Sequence, residues 1–170
     1  MGIKEELEQR AQVYAQGRGL ILAEPLGSGV HGIVFATESH QEKDLAKLRS
    51  AVKVHRGNLG YTRERDVYLR LREQSVTVIR GCHVPDLLDY DDELWVLEMT
   101  IVTRPFLLDF AGAFLDTPPD FSPEVLADWR AEKQEQFGPH WPEVQAVLRS
   151  LENYGVFMVD VNPGNVAFGD

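Results

Sequence analysis

The segment Gly27-Ser28-Gly29-Val30-His31-Gly32 limits the fold of this chain more than any other, because its three glycines fall between two apolar runs, residues 20–26 and 33–37. A G-x-G-x-x-G pattern serves two architectures: a turn that opens a helix, or a hairpin between two strands. The residues that follow distinguish them. Ile33, Val34 and Phe35 are β-branched or aromatic and favour a strand, so the glycines are expected at the tip of a β-hairpin. Residues 50–55 supply a third strand after the charged linker 39–49, and strand alternation turns Ala51 and Lys53 to the same face.

Around this hairpin the chain divides by character. Ile3, Leu7, Ala11 and Tyr14 recur at helical spacing and predict an amphipathic helix ending at Gly17. Residues 61–74 predict a second helix, with Val67, Tyr68 and Leu71 on its apolar face and arginines elsewhere. Strands are expected at 85–90 and 94–99, on either side of the acidic turn Asp91, Asp92, Glu93. Beyond Val102, residues 106–115, 123–137 and 141–154 read as helices, divided by Pro118, Pro119, Gly138, Pro139 and Pro142. Residues 156–170 read as short apolar strands around a polar turn at 160–165. The expected class is α+β. Residues 1–102 form a lobe with an antiparallel sheet and one main helix besides the N-terminal one, and residues 103–170 form a reduced helical lobe.

Composition removes several function classes. Seventeen Lys and Arg face 27 Asp and Glu, and the resulting charge of -10 disfavours nonspecific attraction to nucleic acid. The cluster Arg63, Arg65, Arg70 and Arg72 reads as a solvated helix surface. Cys82, the single cysteine, rules out an intrachain disulfide or a cysteine zinc cluster and is expected in the core. His31, His40, His55, His83 and His140 show neither H-x-x-x-H nor H-E-x-x-H spacing. The N-terminus lacks a signal-peptide core, and no run approaches the ~18 apolar residues of a membrane span, so a cytoplasmic protein with no membrane partner is expected.

A glycine hairpin lets backbone N–H groups approach an anion, since no side chain stands in the way. An amine on the neighbouring strand, Lys53, is placed to meet phosphates, and a flexible ammonium needs an acid to hold it. Glu64 fits that role, because Val67, Tyr68 and Leu71 follow it on the face that packs a helix against a sheet; Glu73 is the weaker choice.

Far along the chain, Tyr154-Gly155-Val156-Phe157-Met158-Val159-Asp160-Val161-Asn162-Pro163-Gly164-Asn165 carries the skeleton Asp-x-x-Pro-x-Asn. With the glycine hairpin and the Ala51-Val52-Lys53 strand, it resembles the protein-kinase-like superfamily, which includes protein kinases and aminoglycoside-phosphotransferase-like kinases. The resemblance runs over nearly the whole chain. It implies ATP and magnesium as cofactors, with Asp160 and Lys53 as catalytic residues and Asn165 as a metal ligand. The nucleotide contacts it implies are Gly27, Ser28, Gly29, Gly32, Val34, Ala51, Lys53 and Glu64, with Glu98 and Met99 in a hinge-like stretch after the fifth strand.

The chain also departs from that pattern. Met158 and Val159 stand where a His and an Arg usually precede the catalytic Asp, and Asn162 stands in place of a lysine. The sequence ends at Asp170, before the further strand whose Asp-Phe-Gly Asp grips magnesium. Asp170 itself would lie roughly 16 Å from Asn165 along an extended strand. Ligands of one ion lie within about 5 Å of each other. Either a sequence cut at a boundary or a minimal version without that strand is expected. The resemblance therefore implies an ATP-dependent phosphotransferase acting on a hydroxyl acceptor. The alternative is a catalytically inactive module of the same fold that binds nucleotide or protein, its reduced helical lobe covered by a second copy or another chain.

Overall fold

The computed structural model describes residues 2–39 and 49–169; the charged linker, apart from its end residues, lies outside them, as do His40 and Asp170. In chain order the elements are α1 (Ile3–Gly17), β1 (Leu20–Ser28), β2 (Gly32–Ser39), β3 (Ser50–His55), α2 (Asn58–Glu73), β4 (Val78–Ile79), β5 (Cys82–His83), β6 (Leu87–Asp91), β7 (Val96–Thr100), β8 (Phe106–Leu107), β9 (Phe114–Leu115), α3 (Pro123–Phe137), α4 (Trp141–Glu152), β10 (Val156–Phe157) and β11 (Val166–Ala167). The class is α+β. Two compact units emerge: residues 1–65 with 86–101, and residues 66–85 with 102–170.

In the first unit an antiparallel sheet runs in the order β1-β2-β3-β7-β6. The register sets Val34 opposite Lys53, Lys53 opposite Leu97, and Ala51 opposite Met99. Strand alternation sorts the faces. Val52 and Val54 point to α1, where they pack with Leu7, Ala11, Tyr14, Ile33, Phe35 and Val96. Each such aliphatic side chain, fully buried, contributes about 1.5–3 kcal/mol. Glu5 and Glu6 in the first turn of α1 suit the positive end of its dipole. Arg10 ties the helix to the sheet, donating to the Leu94 carbonyl at 3.0 Å and the His55 carbonyl at 2.7 Å, with its guanidinium over Trp95.

In the second unit α3 begins at Ser122, whose hydroxyl accepts the Val125 N–H at 3.3 Å, with Pro123 at the first helical position. It ends at Gly138, where φ is 52°. Trp141, Val144, Val147 and Leu151 form the buried stripe of α4, and Phe137 stacks on Trp141. The remaining strands are two-residue pairings: β9 with β10, β8 with β11, β5 with β4, and a parallel contact of β5 with β8.

Several expectations are corrected. Residues 106–115 do not form a helix. Phe106–Leu107 and Phe114–Leu115 pair as strands, Leu108 donates its N–H to the Asn165 carbonyl at 2.7 Å, and Asp109 takes a left-handed φ of 63°. Asp tolerates that conformation, so the apolar pattern there is broken by turn chemistry. Residues 66–85 group with residues 102–170, His83 of β5 pairing with Phe106 of β8. The strand expected at 94–99 is β7, which runs to Thr100, so Glu98 and Met99 lie inside a strand and not in a hinge after it. Among the described residues, no helix is long and apolar enough to cross a membrane.

Candidate functional site

The glycines of the hairpin differ in what the fold asks of them. Ser28 pairs with Ile33 and the Gly29 N–H donates to the Gly32 carbonyl at 2.9 Å, which leaves Gly29, Val30 and His31 as the turn. A Cβ on Gly32 would stand 2.1 Å from the Val54 carbonyl oxygen, so this glycine exists to let β2 lie against β3. Gly27 and Gly29 have no other atom within 4 Å of a built Cβ, and neither has a positive φ. Packing therefore does not explain why they lack side chains. The turn is exposed apart from a half-buried His31, and Arg56 holds it from the end of β3, donating its backbone N–H to the His31 carbonyl at 2.9 Å.

On the sheet face away from α1, Val34, Ala51, Lys53 and Met99 lie together. The Lys53 ammonium is 2.6 Å from Glu64 Oε2, and the two side chains are 8% and 1% exposed. The same oxygen meets His55 Nε2 at 2.6 Å. Burial works hardest on the Glu64 carboxyl and opposes its ionisation. The Lys53 charge and the His55 contact together outweigh that burial and bring the group down to about 2. The N-terminal turns of α2 are fixed by Asp92 in the acidic turn, which accepts from the Tyr61 hydroxyl at 2.7 Å and from Arg65 at 2.6 Å. Glu73, the weaker choice of acid, is exposed at the last position of α2.

Glu98 takes no part in this face. Alternation turns its side chain toward α1, where the Tyr14 hydroxyl and Arg18 Nε each donate to Oε2 at 2.9 Å. Burial, reinforced by the Glu98 charge, pushes the Tyr14 phenol far up, so it stays a neutral donor. The Glu98 side chain braces the helix on the sheet.

In the second unit the turn after β10 is closed by Asn165. Its amide nitrogen donates to the Asp160 carbonyl at 2.7 Å, and its amide oxygen accepts the Asn162 N–H at 2.8 Å. The Asn162 side chain accepts the Gly164 N–H at 2.8 Å, and Val166 donates back to the Asn162 carbonyl at 3.0 Å. Asp160 is left exposed on this rigid turn, its Cβ lying where a Cβ on Gly112 would come within 2.9 Å. Trp129 of α3 donates its indole N–H to the Val159 carbonyl at 3.0 Å, directly before Asp160.

The expected magnesium ligand does not by itself make a cation site. Asn165 is buried and one lone pair of its amide oxygen is already used within the turn. Among the described residues, no three His, Cys, Asp or Glu side chains gather as a metal would need. Cys82 is buried, and burial raises its thiol, in keeping with a core residue.

Of the expected residues, Gly27, Ser28, Gly29, Gly32, Val34, Ala51, Lys53, Glu64 and Met99 lie in the first unit, while Asp160 and Asn165 share one turn in the second. His55 contacts Glu64 and Trp129 the turn before Asp160, neighbours of the candidate residues that no motif marks. His55 was within reach of a sequence reading, because alternation from Lys53 puts position 55 on the same face. The chain matches no protein-family model and no curated protein sequence.

Proposed function

We propose that this chain is a protein-kinase-like ATP-binding protein whose glycine hairpin and Lys53–Glu64 pair hold the nucleotide phosphates. The observation that carries this reading is the buried 2.6 Å ion pair between a lysine on β3 and a glutamate on the helix that follows, beside a glycine hairpin on the adjoining strands. A buried lysine–glutamate pair costs desolvation that an apolar pair of similar volume avoids, which favours a functional reason for keeping it. The arrangement also matches the way kinases anchor ATP phosphates. Gly27 and Gly29, with open space above them, supply backbone that a phosphate can approach closely.

Asp160 is the residue assigned to the acceptor. Asp160 is exposed on its hydrogen-bonded turn, and in this reading its carboxylate orients the acceptor hydroxyl and takes its proton. ATP would carry magnesium as the counter-ion of its phosphates. A second reading, a nucleotide-binding module without transfer, is favoured by Asn165, whose amide is spent on closing the turn, and by Met158, Val159 and Asn162 at positions where kinases carry His, Arg and Lys. In that reading a second copy or another protein chain is the partner.

ATP turnover with magnesium, compared among the unaltered protein, Lys53→Met and Asp160→Ala, separates the readings. Turnover lost in both variants supports the phosphotransferase. ATP-induced thermal stabilisation without turnover supports the module, and no stabilisation of the unaltered protein by ATP or ADP removes both.

A further inference from the structure

Glu64 Oε2 is shared by two donors, Lys53 Nζ and His55 Nε2, each at 2.6 Å. A carboxylate held ionised only accepts, so His55 Nε2 carries the hydrogen of that bond. The imidazole is fully enclosed. Nδ1 lies 3.2 Å from the Trp95 carbonyl, the same oxygen that accepts the His55 backbone N–H at 3.0 Å. Trp95 adopts a φ of 52°, unusual for an aromatic residue, and in that conformation its carbonyl meets His55 twice. Tyr61 of α2 closes the remaining side with its ring edge-on at 5.6 Å, its hydroxyl bound to Asp92. Arg10 of α1 binds the His55 carbonyl. The residue is thus enclosed by groups from α1 and α2 and by the carbonyl just before β7.

A lysine that serves phosphate must be held by its glutamate without being captured by it. With one donor, the carboxylate can rotate to follow Lys53 and compete fully with an incoming anion. With a second donor on the same oxygen, the carboxylate is pinned and its attraction for Lys53 is divided. We propose that His55 is a positioning residue of the phosphate anchor, pinning Glu64 through Nε2 so that Lys53 stays extended along the sheet and available to a nucleotide phosphate. This inference rests on the nucleotide-binding reading given above and assigns to it a residue that no feature of the kinase resemblance supplies.

The test uses the full chain with three substitutions and calorimetric titration of ATP and ADP. His55→Gln keeps an N–H near the Nε2 position, His55→Leu keeps volume without a donor, and Lys53→Met reports on the anchor itself. His55→Leu is expected to weaken ATP binding about ten-fold, the scale of a lost hydrogen bond to a charged group, and His55→Gln to recover it to within about three-fold. Should His55→Leu not fold, His55→Asn replaces it, since its shorter amide does not span to Glu64. A purely structural histidine would lower the melting temperature of these variants while leaving the affinity of the folded protein unchanged, and that result overturns the proposal. If the unaltered protein binds ATP and Lys53→Met does not, the nucleotide reading stands and the His55 variants decide the inference alone. An unaltered protein that binds no nucleotide overturns both.

Discussion

Replacing each hairpin glycine by alanine separates what the fold needs from what the ligand needs. At Gly32 the new methyl would sit 2.1 Å from the Val54 carbonyl, where ordinary contact begins near 3.4 Å. Relief requires β2 and β3 to part by roughly 1.3 Å, which stretches ladder bonds of about 2.9 Å beyond the hydrogen-bonding range. Losing two or three such bonds at about 1 kcal/mol each, with looser packing of Ile33, Phe35 and Val54, puts the cost at about 3–5 kcal/mol. In a chain of this size that lowers the melting temperature by roughly 6–20 °C. At Gly27 and Gly29 a methyl meets open space without backbone strain, so stability is unchanged or raised by about 0.4–1 kcal/mol. ATP affinity moves the other way, falling for Gly27→Ala and Gly29→Ala because the methyl keeps phosphate off the backbone. Thermal melts and titration calorimetry on the three variants are the assay. A Gly32→Ala protein that melts with the parent refutes the packing argument, and Gly27→Ala and Gly29→Ala proteins that bind ATP as the parent does refute the ligand argument.

Other perturbations follow from the same contacts. Glu64→Leu leaves Lys53 and His55 buried beside an apolar group and is expected to cost about 3–5 kcal/mol in urea unfolding. The Glu64 carboxyl is held near 2 in the folded chain against 4.5 for an ordinary one, so its contribution is fully present above about pH 4.5 and is lost as pH falls toward 2. Acid unfolding of Glu64→Gln should accordingly show a shallower pH dependence across that window. Gly155 has a φ of 75°, and a Cβ there would stand 2.7 Å from the Arg70 guanidinium that pairs with Asp116, so Gly155→Ala should lower the melting temperature. Trp129→Phe keeps the ring and removes the donor to the Val159 carbonyl; it should reduce turnover with little change in ATP affinity, read as a fall in kcat at constant KM.

The sequence was most legible where a side-chain pattern and a backbone demand coincided. β3 runs from Ser50 to His55 as alternation and β-branching required, and the helix carrying Val67, Tyr68 and Leu71 brings Glu64 to Lys53. Residues 106–115 were misread because a short apolar run with acidic punctuation fits a helix as well as two brief strands, and only the pairing of β8 with β11 and β9 with β10 decides. The hinge-like stretch expected at Glu98 and Met99 is strand instead, since nothing in the residue types there marks that β7 runs on to Thr100. His55 escaped notice because its partners, Glu64 on α2 and the Trp95 carbonyl before β7, are distant in sequence, and no motif spacing records a contact made by folding.

Amide chemical-shift mapping with ADP tests the central reading most directly. The account predicts shifts concentrated at Gly27, Ser28, Gly29 and Gly32 and at Lys53 and Glu64, lost in Lys53→Met. Saturating ADP that leaves these amides unmoved, or moves only others, contradicts it.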